Sequence, residues 1–377
     1  MSIKAEKNFS LKDQLFNEET LAELTSAVSA SQKGFQKAKF TRQVLAAFPD
    51  LELKARISHI VDVLEDHLPD DFNQAVDVLT ASLPAPLDPT KTDDDFGKFI
   101  WIVPGEYVAR HGCTPEHLDR SLTFLREATK RFSSEGAIRP FLKQFNAQSM
   151  AFVHQCAVDD NYHVRRLASE GIRPFLPWAP RADVAVPDII EVLDKLYFDQ
   201  TRYVTRSVAN TLNDISKIDP DLVVKTLAGW QKAGRQNKPE LQWLIRHALR
   251  TQLKEDQPKA LALMGYAAKP AFSIKRISVP KSVTVGEDFV WQCQLLAQAK
   301  QKLKVTLKIY FLKSNGTHSA KVFAIKDGQF KSGDVLQIAK KQSFKPITTR
   351  TMYPGTHHAE LIVNGVVAAK RAFELKT

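Results

Sequence analysis

The sequence holds little cysteine, no long apolar run and none of the common nucleotide or hydrolase signatures, and each absence removes a class of protein. Three cysteines in 377 residues, Cys113, Cys156 and Cys293, are too few and too scattered for a disulfide framework or a zinc site. They read as small core residues in a reducing compartment. No stretch approaches the roughly 18 apolar residues that span a bilayer, and the opening MSIKAEKNFSLKDQLFNEE has no apolar secretory segment. With 44% apolar and 25% charged residues and a mean hydropathy of −0.26, a cytoplasmic protein of two or three domains is expected, away from any membrane. P-loop, GxGxxG, GxSxG and helix-hairpin-helix patterns are absent. His357-His358, and His111 near Cys113, lack the companions of a metal site, so neither metal nor cofactor is expected.

Positive charge is in excess. Lys and Arg number 53 against 42 Asp and Glu, a formal +11, and the excess is uneven. Residues 1–100 carry 11 basic and 17 acidic side chains, residues 272–377 carry 18 and 6, and the middle carries 24 and 19. That asymmetry points to a polyanion approached by the middle and last parts. On composition alone, a lysine-rich surface that only keeps a small domain soluble stays open.

Up to about residue 268 the apolar spacing is helical. Leu118, Leu122, Leu125, Thr129 and Phe132 make one stripe, with Thr114 expected as N-cap and Pro115 at the first helical position. Asp219-Pro220 and Lys238-Pro239 read as further helix starts. From Phe272 the texture changes to short β-branched and aromatic runs, 272–277, 289–295, 303–312, 320–325, 335–338 and 358–363, with turn signals SNG, KDG, KSGD and VNG between them. The expected division is a helical domain over 1–268 and a β-sandwich over 272–377, joined by a linker at 267–272. Cys293 stands alone there, which excludes an immunoglobulin-type disulfide but not that fold.

Within the helical part, Phe124-Leu125-Arg126, Val164-Arg165-Arg166, Val204-Thr205-Arg206 and Leu244-Ile245-Arg246 recur at intervals of 40, as do Asp159 and Asp199. A period near 40 in an all-helical region marks HEAT-like helix pairs, which stack because no pair buries its own stripe. The expected architecture is a right-handed α-solenoid followed by the small immunoglobulin-like sandwich. A recurring arginine on a concave face suits a phosphodiester backbone; the alternative is an ion pair between repeats.

A second echo is shorter. Ser134-Glu135-Gly136-Ala137-Ile138-Arg139-Pro140-Phe141-Leu142 returns, one residue shorter, as Ser169-Glu170-Gly171-Ile172-Arg173-Pro174-Phe175-Leu176, followed by Pro177-Trp178-Ala179. Each copy sets a carboxylate beside glycine, where another backbone or a ligand can approach closely, then an arginine and a helix-breaking proline. Glu170 follows Arg166 by four residues and could pair with it.

The run Asn161–Pro174 with Leu176-Pro177-Trp178-Ala179 closely resembles the AlkC-type DNA glycosylases of the HEAT-like-repeat superfamily. Lys130–Glu135, Ala137–Phe141, Arg206–Asn210 and Leu212–Ile215 extend the resemblance, which covers residues from about 100 to 265. Family members with a C-terminal immunoglobulin-like domain match 272–377 in order and size.

The resemblance implies excision of N3-alkylated adenine from duplex DNA in base excision repair, largely without base flipping, by a monomer associated with the nucleoid. A 3-alkyladenine is cationic, so its glycosidic bond is already weak, and cleavage passes through an oxocarbenium-like sugar. Carboxylates beside the sugar would stabilise that charge and hold a water. Glu170, Glu135 and Asp214 fall in the family-like motifs as the catalytic candidates, with Glu170 central. Trp178 and Arg166 are the substrate-binding candidates, Trp178 pressing its ring on the deoxyribose or lesion. Arg139, Arg165, Arg173 and Arg206 are the candidates for DNA phosphates.

Each residue has a plainer reading. Glu170 could be a surface partner of Arg166, Glu135 a helix cap, Asp214 a C-terminal-turn residue, and Trp178 a plug between repeats. Trp101 and Tyr107 read as core, and the Pro/Thr/Asp-rich 84–96, with Asp93-Asp94-Asp95, as a solvated loop. Two positions depart from the family motif: Phe175, where a basic or polar residue is expected, and Gly136, where a bulky one is. The competing function class is a catalytically silent DNA-binding or protein-scaffold repeat.

Overall fold

The computed structural model describes residues 10–93, 96–346 and 351–377; Asp94 and Asp95 of the acidic run lie outside the described residues. The chain divides into two compact units, residues 1–218 with 230–248, and 219–229 with 249–377.

The first unit is helical. Its site-bearing helices are Leu53–Glu65, Ile102–His111, Tyr162–Glu170, Arg202–Ile215 and Lys238–Ala248. The first packs on the second, the third on the fourth, and the fourth on the fifth. Burial explains why such helices need neighbours. In Arg202–Ile215, Val204, Val208, Leu212 and Ile215 form an apolar stripe, but Tyr203, Thr205, Ser207, Thr211, Asn213 and Asp214 are buried too. A helix left half-exposed only along Arg202, Arg206 and Asn210 is held by neighbours on its other sides rather than by one amphipathic face. Tyr162–Glu170 begins at Asn161, whose Oδ1 accepts from the His163 amide at 2.9 Å, a cap that contributes about 1 kcal/mol.

The stripe Leu118–Leu122–Leu125 is buried as expected, but its helix begins at Leu118, later than Thr114-Pro115 suggests. Residues 114–117 form a turn, and His117, stacked on Phe72 at 4.3 Å, takes the N-cap place without a capping bond. Pro220 and Lys238 do start helices, and the Asp219 side chain accepts from the Leu222 amide at 2.9 Å. Trp101 and Tyr107 are buried.

Part of the 40-residue period comes from a ladder between repeats. Arg126 Nε donates to Asp159 at 2.7 Å, Arg165 Nε to Asp199 at 2.5 Å, and Arg202 Nε to Glu240 at 2.8 Å. These are the ion pairs that compete with the phosphate reading, and they link helices about one repeat apart in sequence.

The second unit pairs the helices Arg250–Lys254 and Pro258–Leu263 with the β region. Its strands are β1 (Phe272–Ser278), β2 (Ser282–Thr284), β3 (Asp288–Ala297), β4 (Gln301–Leu312), β5 (His318–Phe330), β6 (Val335–Ser343), β7 (Gly355–Val363) and β8 (Val366–Lys376). They form a sheet β1-β3-β6 and a sheet β2-β8-β7-β4-β5, antiparallel except where β2 pairs with β8. Leu303, Val305, Leu307, Ile309 and Phe311 alternate inward along β4 onto Phe289, Trp291 and Cys293. The Val363↔Val366 pair closes a two-residue hairpin in which Asn364 and Gly365 both have positive φ, at 48° and 81°.

One expected turn is not a turn. β5 runs through Lys326-Asp327-Gly328, because the register steps from Val305↔Lys326 to Thr306↔Ala324 and leaves Ile325 over as a bulge. β2 and β8 were not expected from the sequence. No described helix is long and apolar enough to cross a membrane.

Candidate active site

The two copies of the short echo fold differently and pack on each other. In the first, Arg139-Pro140 opens the helix Arg139–Gln144, since proline suits a first turn. In the second, Gly171 ends the helix Tyr162–Glu170, and 173–180 continue as turns. A Cβ at Gly171 would stand 2.8 Å from Ile138 Cγ2 of the first copy, so glycine is required there for close packing. Arg139, 1% exposed, donates to the carbonyls of Gly171 at 2.9 Å, Arg173 at 3.1 Å and Pro180 at 2.5 Å. Burial, then the charge of Arg173, pulls its pKa down to about 10, which leaves it a cation at neutral pH.

That clamp holds one end of a continuous chain of charges. Glu135 accepts on Oε2 from Ser133 at 2.6 Å and from Arg166 Nη1 at 2.5 Å. Arg166 lies 3.7 Å from Glu170 Oε2, and its Cζ stands 4.6 Å from the Tyr203 ring centroid. Glu170 accepts on Oε1 from Arg173 at 2.5 Å and on Oε2 from Ser207 at 2.7 Å. Arg173 Nε then donates to Asp214 Oδ2 at 3.0 Å, Phe175 N donates to the same oxygen at 3.3 Å, and Lys217 approaches Oδ1 at 3.2 Å. Glu170 and Asp214 are 4% and 2% exposed. Buried charges persist only when paired and hydrogen-bonded, and here each has at least one such partner.

Burial alone would raise the Glu170 pKa, but Arg166, Arg173 and the bonds from Ser207 and Arg173 outweigh it and hold the carboxylate below its ordinary range. Conversely, burial works against the charge on Arg166, and Glu135 and Glu170 more than restore it. Arg173 is likewise held charged by Glu170 and Asp214 against burial.

Thus Glu135, Arg166, Glu170, Arg173 and Asp214 come together. Arg139 lies behind them, and Arg165 belongs to the inter-repeat ladder, donating also to the Asp159 and Asp160 carbonyls at 2.9 Å. Arg206 pairs with Asp93. Trp178 is 68% exposed, and its backbone is left-handed, φ +65°, a conformation costing a non-glycine residue roughly 1–2 kcal/mol. Lys54 donates to its carbonyl. Phe175 carries Arg181 at 4.9 Å and Lys217 at 5.3 Å from its ring centroid.

The segment before residue 97 does more than a solvated loop would. The Thr92 carbonyl accepts from the Tyr203 amide at 3.0 Å, and Phe96 meets the Tyr203 ring edge-on at 5.4 Å. Sequence reasoning also missed Ser207, although it follows Arg206 in a quoted motif, and Lys54, Glu106 and Lys217, which no local pattern marks. Among the described residues no group of three or more His, Cys, Asp and Glu is placed to hold a metal ion.

A helical-repeat unit with a buried carboxylate–arginine chain, followed in sequence by an immunoglobulin-like sandwich, defines the class: a HEAT-like-repeat protein with a C-terminal immunoglobulin-like domain. A family model described as the C-terminal Ig-like domain of the uncharacterised protein YhaZ matches residues 273–377. The uncharacterised protein YhaZ of Bacillus subtilis (strain 168) is 32% identical over 367 residues, which is 96% of this chain and 98% of that one. The alkylpurine DNA glycosylase AlkC of Pseudomonas fluorescens, bound to DNA containing an abasic-site analogue, superposes with a TM-score of 0.82 at 33% identity, over 98% of this chain and all of that one. The chain belongs to the AlkC-type family.

Proposed function

We propose that the protein is a DNA alkylation-repair glycosylase that releases N3-alkylated adenine from duplex DNA and leaves an abasic site. The observation that carries this reading is the Glu135–Arg166–Glu170–Arg173–Asp214 chain, in which a buried carboxylate is kept ionised by two arginines. A cationic base needs little help to leave; the developing positive sugar needs fixed negative oxygens.

Glu170 stands at the centre, flanked by Arg166 and Arg173, which hold its orientation. Both bonds of Glu135 fall on Oε2, which leaves Oε1 to hold the attacking water. Asp214 fixes the far side of Arg173 and the Phe175 amide. Trp178, exposed on a strained backbone, is the group that presses on the deoxyribose, and Arg206 is the phosphate contact. Arg139 and Arg165 are reassigned from phosphate binding to support, because carbonyls and Asp199 already occupy their donors. Among the described residues no lysine stands free at the carboxylates, since Lys217 is paired with Asp214, so the reaction stops without strand nicking.

Incubation with methylated duplex DNA, followed by chromatography of the released bases, tests the reading. Release of 3-methyladenine well above the spontaneous rate is expected. No release at high protein concentration would leave a silent DNA-binding protein instead.

A further inference from the structure

The three carboxylates of the site face Arg166, Arg173 and Lys217 directly, and Arg139 adds a fourth cation whose charge registers on all three. The cluster therefore carries no net negative charge with which to prefer a cationic nucleotide over a neutral one. One further carboxylate lies beside it. Glu106, on the helix Ile102–His111, places Oε1 3.3 Å from where a Cβ at Gly136 would stand, and Gly136 adjoins Glu135. The φ of Gly136 is ordinary, so what glycine supplies there is room for this carboxylate.

Glu106 is half-buried and has no hydrogen bond or ion pair among the described residues. Two cations act on it. Arg110, one turn along, is engaged by Asp62 and Ser58, and Lys54, on the neighbouring helix, is engaged by the Trp178 carbonyl. Glu135, across Gly136, is engaged by Arg166. Glu106 thus adjoins the turn bearing Glu135, and neither cation that acts on it is bonded to it.

We propose that Glu106 is the specificity-determining residue that reads positive charge at the damaged nucleotide, on the alkylated base and on the sugar as the glycosidic bond breaks. A carboxylate desolvated without a partner is costly on its own, and a cation arriving at that position offsets the cost, whereas a neutral base does not. Consistent with this environment, burial pushes the Glu106 carboxyl above its usual range against the pull of Arg110 and Lys54. The proposal rests on the glycosylase reading, and its test is a binding preference that can be measured whether or not excision occurs.

The test compares affinity for two duplexes, one with a cationic pyrrolidine abasic analogue and one with the neutral tetrahydrofuran analogue, for wild type, Glu106→Gln and Glu106→Asp. Wild type should prefer the cationic duplex. Glu106→Gln should lose about tenfold of that preference, the scale of one screened charge contact, with affinity for the neutral duplex unchanged or higher. Glu106→Asp, which keeps the charge, should retain part of the preference. In wild type the preference should fall as pH is lowered through the raised carboxyl pKa, and in Glu106→Gln that step should vanish. An undiminished preference in a folded Glu106→Gln overturns the proposal. So does its loss in Glu106→Gln together with weaker binding of the neutral duplex, which is what a merely structural role would produce. Absent base release with an intact, Glu106-dependent preference would instead overturn the glycosylase reading alone.

Discussion

The Arg139 guanidinium donates to the Gly171 carbonyl at 2.9 Å, so the arginine of one SEG-RPFL copy fixes the backbone that follows the central glutamate of the other. Replacing Arg139 by Ala leaves three carbonyls without their donor and the 171–180 turns without their clamp. A buried acceptor left unpaired costs about 1–3 kcal/mol, and a loss of at least that order is expected in urea unfolding of Arg139→Ala. Arg206→Ala should instead be near neutral in stability and weaken duplex binding.

Trp178 offers the opposite trade. Glycine accepts a φ of +65° without the steric cost that tryptophan bears, and the ring is largely exposed. Trp178→Gly should therefore unfold at the same or a slightly higher urea concentration than wild type, by up to about 1 kcal/mol, while base release falls sharply. Parallel denaturation and excision assays check both halves.

Glu170 sets an acid limit. Its folded pKa lies below the ordinary value, so between the two the unfolded chain binds a proton that the folded chain does not. The stabilisation is fully present above the ordinary carboxylate pKa of about 4.3 and is lost as pH falls through the depressed folded value. Glu170→Gln should be less stable than wild type at pH 7, and the gap should narrow toward pH 3. A gap independent of pH contradicts the ion-paired state.

Charge in the second unit is expected to act on affinity. Lys254, Lys308 and Lys321 line a cavity of about 640 Å³ within that unit, and Lys308 and Lys321 each stand 5.2 Å from an aromatic ring, those of Tyr310 and Phe323. Changing all three to Glu should weaken duplex binding and reduce the slope of log affinity against log salt by about one for each phosphate no longer neutralised. An unchanged slope would remove this surface from the DNA interface.

The sequence exposed the site unevenly, for physical reasons. Glu170, Arg166 and Asp214 were legible because each lies in a motif of consecutive residues on one helix. Arg139 and Arg173 were not separable, since the same Arg-Pro-Phe-Leu string opens a helix in one copy and follows one in the other, and only packing decides which guanidinium meets carbonyls and which meets carboxylates. Lys54 and Glu106 reach the site from helices distant in sequence, where no local period marks them. In the sandwich, β4 announced itself by alternating Leu303, Val305, Leu307 and Ile309. β8 did not, because Val366 and Val367 are exposed and only Phe373 and Leu375 along it are buried. Lys326-Asp327-Gly328 read as a turn, but Gly328 lies in a strand whose bulge takes up the extra residue.

Beyond its share in the stability of the fold, Glu170 is expected to stabilise the sugar cation rather than the DNA complex. The most direct measurement is single-turnover release of 3-methyladenine from methylated duplex DNA by wild type and Glu170→Gln at saturating protein, with duplex affinity measured alongside. A fall in rate of at least about 100-fold with affinity within about twofold is expected. Equal rates, or a fall in rate matched by an equal fall in affinity, would contradict the account.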